Sequence, residues 1–198
     1  MKETNWQERY LNQQTGWDIG EISQPLKAYF DQLTDKRMRI LVPGGGNGYE
    51  AAYLHAHGFE KIFLLDIAPY PLEKFASKHP DFPKEHLIHQ DYFEHREKYD
   101  LIVEQTFFCA ILPSLRKAYA RHTHQLLKDE GKLMGVLWSV PLNDDHPPYG
   151  GSKEEYRGYF DNLFSYVYFE DCYNSISPRS GRELFLLARK KKVSENIP

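Results

Sequence analysis

Two cysteines in 198 residues, Cys109 and Cys172, are too few for a disulfide framework or a cysteine-based zinc site, and they point to a reducing, cytoplasmic setting. No apolar run approaches the ~20 residues needed to cross a bilayer. The opening MKETNWQERYLN has no apolar core of a secretory leader, so neither a membrane nor an export role is expected. Excess positive charge is missing too. Against 25 Lys and Arg stand 28 Asp and Glu, a formal net charge of −3, which offers nucleic acid no basic field. No Gly-Lys-Ser or Gly-Lys-Thr follows the glycines at 44–48, which excludes a P-loop. No Ser/His/Asp or Cys/His set has the spacing of nucleophilic catalysis. His55 and His57 lie two apart on a predicted helix and face different ways, as surface histidines rather than metal ligands. Cys109 reads as a small buried hydrophobe. What the chain has in quantity is aromatic: 15% of it is Phe, Trp or Tyr, residues that line pockets as well as cores. A chain of this length buries about 70% of its unfolded surface and forms a core without disulfide or metal.

Trp6 and Tyr10, at i, i+4 spacing, predict a short helix over 3–12, which Thr15, Gly16, Trp17 and Asp18 break. A second helix over 24–33 opens with Pro25. Residues 39–42 form a buried strand that runs into Pro43 and the glycines. Helix 49–57 follows, stopped by Gly58, and strand 61–65 ends at Asp66. The alternation continues through helix 72–78, strand 87–88, strand 101–103 ending at Glu104, helix 115–127 with Pro113 at its start, a turn at 129–131, strand 132–140 and helix 154–164. Segments 165–173 and 183–189 read as two strands with no helix between them, hence an antiparallel hairpin. Alternation before that hairpin implies an α/β fold, a mainly parallel sheet with helices on both faces.

A strand running into Gly44-Gly45-Gly46-Asn47-Gly48 and then a helix brings backbone close to a ligand. Glycines at 44, 46 and 48 permit positive φ and remove Cβ atoms where a nucleotide must touch the chain. Asp66 ends the next strand, 18 residues beyond Gly48, where a carboxylate accepts from ribose hydroxyls. Gly46, Gly48 and Ala51 also match a dinucleotide fingerprint, so NAD stays open at this point. Three things favour an adenosyl ligand instead: glycines that begin directly at the strand end, little chain left for a second substrate domain, and the antiparallel tail.

Several segments together resemble the thiopurine S-methyltransferase superfamily, and within it the plant-type halide/thiol methyltransferases known as "harmless to ozone layer". They are W-x-x-R-Y at 6–10, TGWDIG at 15–20, VPGGGNGYE at 42–50, D-Y-F at 91–93, EQTFFCAILPSLR at 104–116 and HPPYG at 146–150, in order along nearly the whole chain. The resemblance implies a class I S-adenosylmethionine (SAM)-dependent methyltransferase fold: Rossmann-like, seven-stranded, mostly parallel, with a reversed C-terminal strand. It divides a single domain, 1–198, into a helical lid at 1–34, a core at 35–190 and a frayed tail at 191–198. By the same resemblance, Trp6, Tyr10 and Trp17 fold over the cofactor. Gly44 meets its methionine portion and Asp66 its ribose, and Gly46 is a further cofactor-binding residue of the loop. Asp91 and Tyr92 flank its adenine, and Glu104 and Gln105 stand near its amino-acid end. Tyr10 stands where plant-like members often have Trp, Gly45 where a cysteine is frequent, and Glu104 where an Asp is expected.

SAM carries an already activated methyl, so the protein supplies geometry and a dry pocket. A soft anion such as a thiolate, hydrosulfide, thiocyanate or iodide needs no general base. Phe107 and Phe108 are candidates to line the acceptor pocket, or else ordinary core beneath a loop. Pro147-Pro148-Tyr149 resembles the motif of amino-group methyltransferases, but it follows the fifth strand rather than the fourth. The family has its own Pro-Pro-Tyr at this later place, which makes Tyr149 the substrate-side residue. The reading is a cytoplasmic, monomeric enzyme that takes SAM, releases S-adenosylhomocysteine and acts on a small-molecule acceptor, with no catalytic acid or base and no metal. The rival readings are an NAD-dependent oxidoreductase and a non-catalytic SAM-binding protein.

Overall fold

The computed structural model describes residues 4–192. Its strands are β1 (Arg39–Pro43), β2 (Lys61–Asp66), β3 (Leu87–His89), β4 (Tyr99–Gln105), β5 (Leu127–Trp138), β6 (Phe164–Asp171) and β7 (Glu183–Lys190). They form one seven-stranded sheet in the order β3-β2-β1-β4-β5-β7-β6. The first five run parallel, while β7 enters antiparallel between β5 and β6, as the helix-free tail requires. This is the class I methyltransferase arrangement.

Helices cover both faces. On one face α2 (Gln24–Phe30), α3 (Tyr49–Ala56) and α4 (Pro69–Lys78) close over Ile40, Val42, Leu64, Leu101 and Val103. On the other, α5 (Arg116–Leu126) and α6 (Lys153–Phe160) close over Leu41, Ile102 and Leu133 with Tyr119, Tyr156 and Phe160. Odd and even positions of β1, and of β4 from Leu101 onward, divide between the two cores, as a strand buried on both sides must. The short α1 (Trp6–Leu11) packs on α4, where Gln7 Oε1 accepts from Tyr70 N at 3.0 Å.

Most boundaries shift by a few residues from the sequence expectation, and three of the shifts have a visible cause. Helix 154–164 stops at Phe160, because Phe164 already pairs with Lys190 across β6 and β7. The turn at 129–131 lies inside β5 as a bulge: Tyr99 pairs with Leu127 but Leu101 with Lys132, and Glu130 takes φ +62°. Helix 115–127 begins with a 3-10 turn over Pro113–Leu115. Of the tail expected to fray, residues 193–198 lie outside the described range.

Candidate cofactor and acceptor site

β1 and β4 are neighbours, yet the chain leaves β1 toward β2 on one side and β4 toward β5 on the other. Their carboxyl ends therefore bound the crevice where open α/β sheets bind ligands. The glycine loop fills one wall. Gly44, Gly46 and Gly48 have φ of +56°, +51° and +71°, and the sharp loop turns the Gly46 amide toward the end of β2. Gly46 N donates to Asp66 Oδ2 at 2.9 Å, and Ala68 N donates to Oδ1 at 2.8 Å. Burial raises the Asp66 pKa, against the pull of these amides. Ile67, next in the chain, is an apolar side chain left 47% exposed, a shelf of the kind a flat ring covers.

The N-terminal aromatic residues meet this wall. Trp17 stands edge-on to Trp6 and to Tyr10, with centroids 5.5 and 5.7 Å apart, and the Arg9 guanidinium lies over both indoles. Tyr10 is buried, and its hydroxyl would be 2.4 Å from a Cβ placed on Gly46. Asp18, which sequence reasoning missed, fastens the segment: its Oδ2 accepts from Asn47 Nδ2 and from Tyr49 Oη, its Oδ1 from Gly20 N. The Trp17 carbonyl accepts from Arg179 Nη2 at 2.8 Å, which ties the N-terminal segment to the turn before β7.

The structure separates the members of the predicted pairs. Asp91 caps a 3-10 turn at Phe93 N and is half-buried. Tyr92 faces the core, its hydroxyl 2.7 Å from Thr123 Oγ1, with ring contacts to Phe107, Tyr119 and His122. Glu104 is 1% exposed, and its carboxylate serves the chain: Oε1 accepts from Phe107 N (2.9 Å) and Phe108 N (2.8 Å), Oε2 from Tyr119 Oη (2.8 Å). Burial pushes its pKa to about 7. Gln105 differs: its Oε1 is buried and has no hydrogen-bond partner.

Phe107 and Phe108 divide likewise. Phe107 is half-buried and presses on the glycine loop, 2.4 Å from where a Gly44 Cβ would stand. Phe108, 1% exposed among Tyr119, Tyr156 and Phe160, is core, because the Glu104 cap turns it down onto α5 and α6. Tyr149 is buried on the far side of the same turn. Its N donates to Cys109 O at 2.7 Å and its carbonyl accepts from Arg116 Nη2 at 3.2 Å. Burial pushes the Cys109 thiol up to about 12, with Glu104 reinforcing and Arg116 and Arg179 opposing.

Those two guanidinium groups are the other residues that sequence reasoning missed. Arg116 is buried between the Phe108 and Tyr156 rings, paired with Glu155 at 2.9 Å, and its Nε has no partner. Arg179 is paired with Glu183 at 3.3 Å and lies over Trp138. An arginine two residues after Pro-Ser, closing an apolar aromatic segment, was the one available signal for Arg116.

The arrangement fits an S-adenosyl group. Asp66, held in place by the Gly46 and Ala68 amides, suits a ribose, and the unpartnered Gln105 Oε1 at the end of β4 is an acceptor suited to an ammonium. Comparison with known proteins agrees. The family model described as Thiopurine S-methyltransferase (TPMT) matches residues 1–191. The chain is 30% identical to "Thiocyanate methyltransferase 1" of Brassica oleracea, over 98% of this chain and 87% of that protein. It is also 30% identical to "Probable thiol methyltransferase 2" of Arabidopsis thaliana, over 96% and 85%. Among solved structures, the 1,6-didemethyltoxoflavin-N1-methyltransferase of Burkholderia thailandensis, with bound S-adenosylhomocysteine, superposes with a TM-score of 0.71 at 16% identity, over 93% of this chain and 85% of that one.

Proposed function

Since the chain belongs to the thiopurine S-methyltransferase family, we propose that this SAM-dependent methyltransferase acts on a small soft anion: a thiolate, hydrosulfide, thiocyanate or halide, or the sulfur of a thiopurine. When bound, SAM supplies a sulfonium methyl that needs no further activation. The chain's part is to bind, to orient and to keep water out. Asp66, held in place by the Gly46 and Ala68 amides, binds the ribose, with Ile67 and Asp91 on the adenine side. Gln105 Oε1 receives the ammonium, and Trp6, Tyr10 and Trp17 close the lid. Tyr149 and Phe107 face the acceptor.

The observation that carries the acceptor class is the buried Arg116 guanidinium, which donates to the Tyr149 carbonyl. Arg116 Nε–H is a donor with no partner in a low-dielectric surround, where an anion is worth more than in water. A neutral oxygen or nitrogen acceptor would need a base to take its proton. The acceptor-side carboxylate, Glu104, is instead engaged by three donors. The NAD reading of the glycines gives way to the family membership and to the antiparallel β7. Two free, buried cysteines support a cytoplasmic site of action.

The test is thermal melting with SAM, S-adenosylhomocysteine or NAD at about 1 mM, a concentration that raises stability by ~4 kcal/mol for a micromolar site. Turnover assays with iodide, thiocyanate, hydrosulfide and an aromatic thiol follow, read as volatile or ultraviolet-absorbing methyl products. Stabilisation by the adenosyl ligands with methylation of at least one soft anion is expected. Binding without turnover of any of them, or faster turnover of an amine or alcohol, refutes the acceptor class.

A further inference from the structure

Glu104 is a buried carboxylate with an unusual set of partners: two consecutive backbone amides and one phenol, and, among the described residues, no salt-bridging cation. Burying a charge that only dipoles compensate is costly, and an apolar residue of similar size would serve the core as well or better. What the carboxylate does provide is the shape of the turn beyond β4. That turn starts at Thr106, a non-glycine residue held at φ +57°, and the two amides that follow both point back to Glu104 Oε1. From there the backbone serves two sides of the crevice. Phe107 presses its ring on the glycine loop at Gly44, and the Cys109 carbonyl accepts from Tyr149 N at 2.7 Å. Tyr149 in turn holds Arg116 through its own carbonyl. On the opposite side, Tyr119 Oη anchors the carboxylate to α5.

We propose that Glu104 is a positioning residue: by fixing the 106–109 turn it sets the cofactor loop, through Phe107, and the acceptor side, through Cys109 and Tyr149, in one mutual geometry. The inference rests on the methyltransferase reading above and assigns Glu104 no contact with cofactor or acceptor. In methyl transfer, alignment of two bound partners is most of what the protein contributes, so a small shift of this turn costs rate as well as affinity.

The test compares the wild-type enzyme with Glu104→Gln, Glu104→Asp and Tyr119→Phe. S-adenosylhomocysteine affinity is measured by calorimetry, and kcat and KM with iodide, an acceptor that does not titrate. Glutamine keeps the shape but replaces charge-assisted bonds by neutral ones about half as strong. The expected result for E104Q is a fall of about tenfold or more in kcat/KM for iodide, with part of it in kcat, and a weaker affinity for S-adenosylhomocysteine. E104D, which keeps the charge, recovers part of the loss.

The pH profile separates positioning from mere structure. The groups facing Glu104 are Tyr119 from α5, Tyr92 from the turn after β3 and Cys109 from its own turn. Burial holds Cys109 at about 12 and raises both tyrosines above their ordinary range, so Glu104 is the member of this set that titrates near neutrality. The wild-type kcat/KM therefore has an acid limb near pH 7 that E104Q lacks. Taking the ratio of the two profiles cancels every other titration, Glu50 included. Y119F removes a bond that favours the ionised carboxylate, so it moves that limb to higher pH, and it keeps the test open if E104Q does not fold. The wild type's own binding of S-adenosylhomocysteine reports on the function reading separately. If it binds and turns over, while E104Q has unchanged kcat/KM and an unchanged profile, or Y119F leaves the limb in place, the positioning role is overturned.

Discussion

Substituting Gly46 by alanine tests the closeness of the lid to the glycine loop with an internal control. At φ +51° an L-residue carries a left-handed penalty of about 1–2 kcal/mol. The new methyl adds a second cost, since it would stand 2.4 Å from Tyr10 Oη, and one of the two must retreat by about 1 Å to reach ordinary contact. Behind Tyr10 stands Trp17, and behind Trp17 the Arg179 bond, so the displaced hydroxyl pushes on a packed lid rather than into water. At about 2–4 °C per kcal/mol for a chain of this size, backbone strain alone lowers Tm by roughly 2–8 °C. Removing the hydroxyl isolates the contact: with Tyr10→Phe, the nearest ring atom, Cζ, is 3.4 Å from the methyl, an ordinary separation. Tyr10→Phe alone supplies the reference loss for the missing hydroxyl. The double variant G46A/Y10F should then be more stable than the sum of the two single losses predicts, with a coupling of about 1–2 kcal/mol. Urea unfolding of the four proteins measures it. Strict additivity would show that Tyr10 and Gly46 do not touch in solution and would remove the case for a lid seated on the cofactor loop.

Three further outcomes are expected. Glu50, buried with a long bond from Ser23 N at 3.5 Å, has its pKa pushed from 4.5 to about 7, so its ionisation costs the folded state as pH rises through that window. Glu50→Gln should therefore gain on the wild type by up to about 3 kcal/mol between pH 4.5 and 8, read as the difference in urea midpoints; a gain in the opposite direction of pH refutes the shift. Phe108→Ala should cost about 3–5 kcal/mol of stability. Phe107→Ala should cost less but lose most of the melting shift given by S-adenosylhomocysteine, and equal behaviour of the two variants contradicts the division between core and loop. Gln105→Leu leaves no orphaned acceptor, so the unliganded protein should melt no lower than wild type while S-adenosylhomocysteine binds about tenfold more weakly. Unchanged affinity would remove Gln105 from the amino-acid end of the cofactor.

The fold was readable because its signals are local and repeated: apolar runs ending in Asp66 and Glu104, glycines directly at a strand end, and a tail with no room for a helix. The boundaries that moved are those where pairing overrides local pattern. Phe164 continues a helical periodicity yet belongs to β6, since β7 offers it a partner, and Glu130 and Gly131 read as a turn while the strand runs through them as a bulge. At the site, the residues named from the sequence come together to different degrees. Trp6, Tyr10 and Trp17 meet at the loop, because an aromatic cluster and a glycine cluster are each visible alone. Which face a polar residue takes at a strand end is not visible in that way. Glu104 and Gln105 are adjacent and both polar, and alternation sends them to opposite sides, one to three donors in the protein and one to none. The same holds for Phe107 and Phe108, and for Asp91 and Tyr92, where a tight turn parts neighbours that composition treats alike. Arg116 and Arg179 stayed hidden for a different reason: their partners are far along the chain, Glu155 and the Tyr149 carbonyl for Arg116 and the Trp17 carbonyl for Arg179. The cofactor side of the crevice is thus written in short segments and the acceptor side in long-range contacts. That is why the chain announces a SAM site more readily than it announces what is methylated.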